Sequence, residues 1–205
     1  TANEACYGQR VIPSYHFEKA KIIVSLSADF LGSWLSPVVF AKQYAEGRRI
    51  DESNLAMSRH IQFESFMSMT GSNADERFMH KPSETGAIAL ALLGALGGGT
   101  SANLTGRAAE GVKIVAAELK ANMGSSLVVC GSNDPNIQII VNAINNAIGA
   151  NGKTIDWDKP VLYRQGVDKD MATLVSDMNA GAIGGLLIYG ANPVYNYYDA
   201  AKFVS

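Results

Sequence analysis

Three apolar runs constrain this chain more than anything else in it. They lie within "AKIIVSLSADF" (20–30), "SSLVVCGSNDP" (125–135) and "GLLIYGANP" (185–193). Each is a continuous stretch of aliphatic and β-branched residues with no polar alternation. Such a stretch reads as a strand buried on both faces. Each then breaks into small, acidic, Asn, Gly or Pro residues, which turn the backbone and fix its exit. A strand apolar on both faces needs cover on both sides, as in a parallel sheet between two helical layers.

The segments between the runs have helical character. "SPVVFAKQYAEGRR" (36–49) opens with Ser36 as N-cap and Pro37 at its first position, and carries Arg48 and Arg49 near its end. "SETGAIALALLGAL" (83–96) opens with Ser83. "TGRAAEGVKIVAAELKAN" (105–122) places Val112, Val115, Ala116 and Leu119 on one face. "NIQIIVNAINNAIG" (136–149) and "KDMATLVSDMNAG" (169–181) both stop at glycine. "HIQFES" (60–65) is a short strand with alternating Ile61 and Phe63, "SMTGSNADE" (68–76) is turn chemistry, and "RFMHKP" (77–82) is a further short strand closed by Pro82. The expected fold is a three-layer α/β domain with a mostly parallel sheet. It divides into a first sub-lobe at 1–96, a flexible linker at 97–104 and a second, C-terminally truncated sub-lobe at 105–205. The first holds strands at 22–27 and 60–65, the second strands at 126–131 and 185–189.

A chain of 205 residues, 47% hydrophobic and 18% charged, is long enough and apolar enough to bury a core. A net charge of −2 and a pI of about 5.9 argue against a nucleic-acid partner. No apolar run reaches the roughly 18 residues of a membrane span, and residues 1–30 carry no signal-peptide pattern. The chain begins at Thr1 and stops in mid-pattern at "AAKFVS", so it reads as a piece of a longer protein.

Single motifs carry little chemistry. "GGGTSA" (97–102) has the spacing of a dinucleotide loop but follows an Ala/Leu-rich helix, whereas such a loop must follow a strand. There is no G-x-S-x-G, and no spacing selects a Ser–His–Asp triad. Asp75 and Glu76, like Asp156 and Asp158 around Trp157, read as solvated loop charges. Cys6 and Cys130 form no C-x-x-C and read as two buried or free thiols. His16, His60 and His80 have no metal-ligand spacing. What remains is the set of strand ends. Ligands of open α/β sheets lie outside the carboxyl ends of the strands, and three such ends here share one style.

Taken together, the segments resemble the molybdopterin oxidoreductase family, the group of the DMSO reductases and formate dehydrogenases. "YGANP" (189–193) is similar to that family's Gly-x-Asn-Pro loop, and "HIQFES", "SMTGSNAD" and "KPSETGAIALAL" stand in the family's order. Within it, "IIVSLSADFLGSWLSPV", "SRHIQFESFMSMTGSNADERF" and "VSDMNAGAIGGLLIYGANPVYN" resemble the molybdopterin-like large iron–sulfur subunit of bacterial alternative complex III, a quinol-oxidising membrane complex. The resemblance implies a formate dehydrogenase/DMSO reductase type of fold. It also implies pterin-nucleotide loop positions, vestigial or actual, at Ser27, Asp29, Glu64, Thr70, Asn73, Asp75, Thr85, Gly190, Asn192 and Pro193.

This chain departs from the family pattern. The first strand ends Ser27-Ala28-Asp29-Phe30 where the family has Gly-x-Asn-Pro, and Thr85 stands where an Asp reads guanine. Asp29 sets a carboxylate where an anionic pyrophosphate would lie, which is unfavourable unless the charge is paired. The expectation is a cofactor-free, structural domain of a respiratory oxidoreductase, with no metal site of its own and iron–sulfur clusters elsewhere in the parent chain. Its partners would be the other subunits of a membrane complex on the periplasmic side of the bacterial inner membrane, with no span of its own. The alternative is a genuine molybdopterin guanine dinucleotide-binding part of a molybdoenzyme. A third reading is a nucleotide-binding flavodoxin-like module. Tyr195, Tyr197 and Tyr198 are interface candidates.

Overall fold

A computed structural model describes residues 1–52, 55–162 and 166–204, which fall into two compact units, Thr1–Leu162 and Tyr163–Ser205. The first unit is built on a four-stranded sheet. Its strands are β2 (Ile22–Leu26), β3 (Arg59–Glu64), β4 (Glu76–Met79) and β5 (Ser126–Cys130), in the order β4-β3-β2-β5 with every pair parallel. All five residues of β2 and of β5 are buried. That is the outcome their unbroken apolar sequences require.

Helices cover both faces. Side chains alternate along a strand, so His60 of β3 points to the face opposite Phe63. The His60 ring meets Tyr44 of α2 (Pro37–Arg48). On the other face Phe63 stacks on Phe78 of β4, with ring centroids 5.2 Å apart. There α5 (Gly106–Ala121) crosses the sheet, with Gly111 directly over the Phe78 ring. α4 (Thr85–Ala95) packs on α5 and on α6 (Pro135–Ala147). Above α2, Phe17, Phe30 and Phe40 form an aromatic cluster, with Phe17 and Phe30 stacked at 4.4 Å. A short helix α3 (Met69–Ser72) stands where the sequence predicts only a turn. It forms because Ser68 caps it: the Ser68 hydroxyl accepts from Gly71 N at 2.9 Å.

Further elements of the first unit lie outside the sequence-based expectations. α1 (Ala2–Tyr7) packs on α6, and β1 (Ile12–Tyr15) pairs antiparallel with β6 (Ile155–Val161). Asp156 and Asp158 therefore sit in a strand rather than a loop. Trp157 between them meets Tyr7 in a tilted ring contact at 4.3 Å and donates to Asn151 Oδ1 at 2.9 Å. Both cysteines are free, Cys6 exposed and Cys130 buried.

The sheet unites strands from both sides of the 97–104 segment, since β5 pairs with β2 along its whole length. The strand expected at 185–189 is corrected by the structure: those residues form no ladder, and Leu187 and Tyr189 are 94% and 96% exposed. An apolar run becomes a strand only where an edge offers it backbone partners, and no described residue pairs with this one. In the first unit the outer edge of β5 is closed by side chains. Thr154 Oγ1 donates to Ser126 O at 2.8 Å, and Gln138 Nε2 donates to Cys130 O at 3.0 Å. Between them Asn145 acts as a one-residue strand. Its Oδ1 accepts from Val128 N at 3.0 Å and its Nδ2 donates to Val128 O at 2.7 Å. Covering an edge in this way is a known defence against unwanted pairing.

The second unit contains α7 (Asp168–Asn179), α8 (Pro193–Asn196) and α9 (Ala200–Val204). Asn179 Nδ2 ties α7 to α9 by donating to Lys202 O at 3.0 Å, and Tyr197 contacts Phe203 with ring centroids 6.4 Å apart. Tyr195 and Tyr198 are exposed. Among the described residues no helix is long and apolar enough to cross a membrane, and no cluster of three His, Cys, Asp or Glu side chains could hold a metal ion.

Candidate functional site at the carboxyl edge of the sheet

The strand order places β3 and β4 to one side of β2 and β5 to the other. The chain therefore changes direction at β2, and the crevice between the carboxyl ends of β2 and β5 is the topological switch point where α/β sheets bind ligands. Two loops face each other there, 27–36 after β2 and 131–134 after β5. They touch: a Cβ on Gly131 would overlap the Ser27 carbonyl. Only glycine lets the two backbones come this close.

Ser27 begins the first loop with φ 57, a left-handed conformation that L side chains rarely adopt. Its neighbours hold it there. Ser27 N donates to Phe63 O at 2.7 Å, and Ser25 Oγ closes a tight turn by accepting from Ala28 N at 3.1 Å and donating to Ala28 O at 2.9 Å. The Ser27 hydroxyl is at the surface. It donates to Phe63 O at 3.4 Å, and its oxygen lies 3.5 Å from Nε2 of buried His80, the second acceptor its O–H can turn to. His80 Nδ1 donates to Lys81 O at 2.7 Å. That bond puts the neutral ring's proton on Nδ1 and leaves the Nε2 lone pair facing Ser27.

Asp29 is half-buried, and its carboxylate is taken up by neighbouring donors. Its Oδ1 accepts from Thr70 N at 3.0 Å and from Thr70 Oγ1 at 2.8 Å, while Oδ2 accepts from Ser33 Oγ at 3.2 Å. Thr70 Oγ1 in turn accepts from Leu31 N at 2.9 Å. Phe30 beside it is wholly buried in the aromatic cluster. The Ser-Ala-Asp-Phe loop is thus closed upon α3 by its own polar groups.

Behind the loops runs a buried polar ladder. His60, Gln62 and Glu64 alternate along β3, so all three share one face, and each is at most 2% exposed. His60 Nε2 donates to Gln62 Oε1 at 3.2 Å, and Gln62 Nε2 donates to Glu64 Oε2 at 3.2 Å. Tyr44 Oη is 3.2 Å from His60 Nδ1 and donates to Asn73 O at 2.9 Å. Glu64 also accepts from Ser68 Oγ at 2.6 Å and from Arg77 Nε. Burial pushes the His60 pKa down to about 4. For Glu64 burial acts upward, but the bonds from Ser68 and Arg77 outweigh it and hold the carboxyl below its ordinary range. Asp75 behaves alike, burial opposing the bidentate Arg48 at 2.7 and 2.7 Å, and Arg48 prevails.

The residues singled out by the family resemblance thus fall in different places. Ser27, Asp29, Glu64 and Thr70 converge at the carboxyl edge. Asn73 and Asp75 lie at the other end of β3, where Asp75 accepts from His60 N at 2.7 Å. Thr85 starts α4, its hydroxyl donating to Pro82 O at 3.0 Å. Gly190, Asn192 and Pro193 belong to the second unit. Gly190 has φ 63, and Asn192 caps α8 by accepting from Tyr195 N at 3.3 Å. His60, Gln62, Arg77 and His80 were missed as site-forming residues. The period-two polar set in "HIQFE" was a visible signal for the first two. Nothing in sequence spacing joins His80 to Ser27.

No family model matches this chain, and no curated protein matches it.

Proposed function

We propose that this chain is a molybdopterin-oxidoreductase-like scaffold domain of a respiratory quinol-oxidising complex. In this reading it lies on the periplasmic side of the bacterial inner membrane, binds other subunits, and leaves electron transfer to iron–sulfur clusters elsewhere in the parent chain. The observation that carries the reading is the closure of the loop after β2. Asp29 spends its carboxylate on Thr70 and Ser33, and Phe30 fills the aromatic core. These residues do not fit a pyrophosphate. A half-buried carboxylate held by Thr70 and Ser33 keeps negative charge beside the switch point, and a buried Phe cannot open the loop without exposing its ring.

One observation favours the second reading, a genuine pterin-nucleotide site. Ser27 and Gly190 stand at equivalent places in their loops and share the left-handed backbone, with φ 57 and 63. Ser27 thus adopts the backbone conformation of Gly190 without being a glycine. Elemental analysis of the full-length protein from its native host separates the two readings. Iron without molybdenum supports the scaffold, and stoichiometric molybdenum overturns it in favour of the cofactor site.

A further inference from the structure

We propose that Ser27 and His80 form a nucleophile–base pair able to transfer the acyl group of a small carboxylic ester to water. Nothing in the scaffold reading requires or uses this pair. Four features on one edge of the sheet point to it.

The first is position. Ser27 is the first residue beyond the carboxyl end of β2, at the switch point where a ligand would lie. The second is conformation. A serine in the left-handed region on a sharp strand-to-loop turn presents its hydroxyl outward, clear of its own strand. That is the arrangement that exposes a nucleophile above a parallel sheet, and the backbone strain there is held by the Ser25–Ala28 turn and the Phe63 carbonyl. The third is the base. Of the three histidines, His80 is the one whose Nε2 faces a surface hydroxyl, at 3.5 Å. This separation is at the long end of hydrogen bonding, as nucleophile–base pairs often show before substrate draws them together. The fourth is the orienter. Lys81 O fixes the His80 tautomer, and is itself fixed by Glu84, whose N donates to Lys81 O at 2.8 Å while its Oε2 accepts from Lys81 N at 2.8 Å. A nucleophile, a base and a group that orients the base is the minimal set for covalent acyl transfer.

The step balances on these atoms. Ser27 Oγ bonds to the ester carbonyl carbon as its proton passes to His80 Nε2. The carbon–oxygen bond to the alcohol then breaks, and the leaving alkoxide takes the proton from Nε2. Water attacks the acylated Ser27, giving one proton to Nε2. The acyl–Oγ bond breaks, releasing the carboxylic acid, and Ser27 Oγ recovers that proton. The surface position of the hydroxyl suits a small ester such as p-nitrophenyl acetate.

The test treats the full-length protein with a fluorophosphonate, which bonds only to activated serines, and locates the adduct by peptide mass spectrometry. The expected result is an adduct on Ser27 in the folded protein, absent in Ser27→Ala and slowed by roughly a hundredfold or more in His80→Gln. Turnover of p-nitrophenyl acetate is expected to fall in the same two variants. A second measurement guards against misfolding of His80→Gln: the wild-type protein labelled in denaturant is expected to lose the Ser27 adduct. Absence of the adduct from folded wild-type protein overturns the proposal. So does a Ser27 adduct that forms equally well when the protein is labelled in denaturant, because the hydroxyl is then merely exposed and not activated by the fold.

Discussion

Asp29 in the loop after β2 and Thr70 in α3, separated by the whole of α2 and β3, are joined by two hydrogen bonds to a single carboxylate oxygen, from Thr70 N at 3.0 Å and from Thr70 Oγ1 at 2.8 Å. This pairing decides what the loop after β2 can do. It satisfies a carboxylate that would otherwise stand at the switch point, and it ties α3 to the turn that contains Ser27. Hydrogen bonds to a charged acceptor are worth about 1.5–3 kcal/mol each in partly buried settings. We expect Asp29→Ala and Thr70→Val each to lower the unfolding free energy by about 1–2 kcal/mol, with the double variant losing less than the sum. A double-mutant cycle by urea denaturation checks this. Strict additivity would mean that the two residues do not depend on one another.

Ser27 makes the opposite prediction, that a substitution adds stability. Its φ of 57 costs an L residue about 1–2 kcal/mol that glycine does not incur. Glycine returns part of that gain through the entropy of the unfolded chain. Ser27→Gly is therefore expected to raise stability by about 0.5–1 kcal/mol, and Ser27→Val to lower it by more than that. Denaturation midpoints of the two variants measure this directly. It would also separate stability from chemistry, because Ser27→Gly deletes the hydroxyl of the proposed acyl-transfer pair while relieving the strain.

We expect burial of His60 to make folding pH-dependent. Its folded-state pKa is pushed down from 6.5 to about 4 by burial under α2. The groups facing it are Tyr44, Gln62 and Glu64 on the ladder, and Asp75 and Arg48 beyond its backbone. The folded state keeps the ring neutral and the unfolded state protonates it first. The stability it supports is complete above pH 6.5 and is lost as pH falls toward 4, by about 3 kcal/mol in all. Glu64 and Asp75, both held below the ordinary carboxylate range, act with the same sign at the acid end of that window. In His60→Gln the fall between about pH 6.5 and pH 5, above the carboxylates, should be largely flattened. Urea unfolding across that window, in both proteins, is the measurement.

How much of this was legible in the sequence follows from the range over which each signal acts. The buried strands β2 and β5 and the helices α2, α4, α5, α6 and α7 come from local periodicity, and the unbroken apolar runs made them readable. The run at 185–189 carries the same local signal and forms no strand, because pairing depends on an edge and not on the run alone; in the first unit the edge of β5 is taken by Asn145, Gln138 and Thr154. Nothing in the order of those three residues announces that role. β1 and β6 were missed for a related reason. "IPSY" and "IDWDKPV" carry prolines and aspartates that read as loop, and the strands exist only because each supplies the other's partner. At the site, the strand-end style located the switch point. The contacts that give it character, Asp29 with Thr70 and Ser27 with His80, join segments at separations of 41 and 53 residues, which no motif spans.

Gly71 tests the packing of the ladder against α3. A Cβ at this position would overlap the Glu64 carboxylate, which is 2% exposed and held by Ser68, Gln62 and Arg77. The added methyl must either displace a buried charge from its partners or lift α3 off the sheet. Gly71→Ala is expected to cost about 3 kcal/mol, in the range of a broken buried ion pair. Truncating the carboxylate should offset part of this, so Gly71→Ala/Glu64→Ala is expected to be more stable than the sum of its single variants predicts. Thermal or chemical unfolding of the three proteins gives the comparison.

The last prediction concerns the edge that keeps the sheet at four strands. Asn145 is 2% exposed and binds both backbone groups of Val128, as a neighbouring strand would. Asn145→Ala leaves a buried N–H and a buried C=O without partners, which costs about 2–4 kcal/mol for the two groups. Asn145→Asp keeps the acceptor for Val128 N but opposes the Val128 carbonyl with a second oxygen. It should therefore destabilise at least as strongly as alanine at neutral pH. Either change also opens an edge to pairing with another chain, and the exposed apolar run at 185–189 of a second molecule is the best-suited partner in this sequence. We expect both variants to associate with rising concentration in size-exclusion chromatography, and Asn145→Ala combined with Leu187→Lys to associate less. A variant as stable as the parent that elutes alike at every concentration would mean that Asn145 does not close this edge, and the absence of a fifth strand would need another cause.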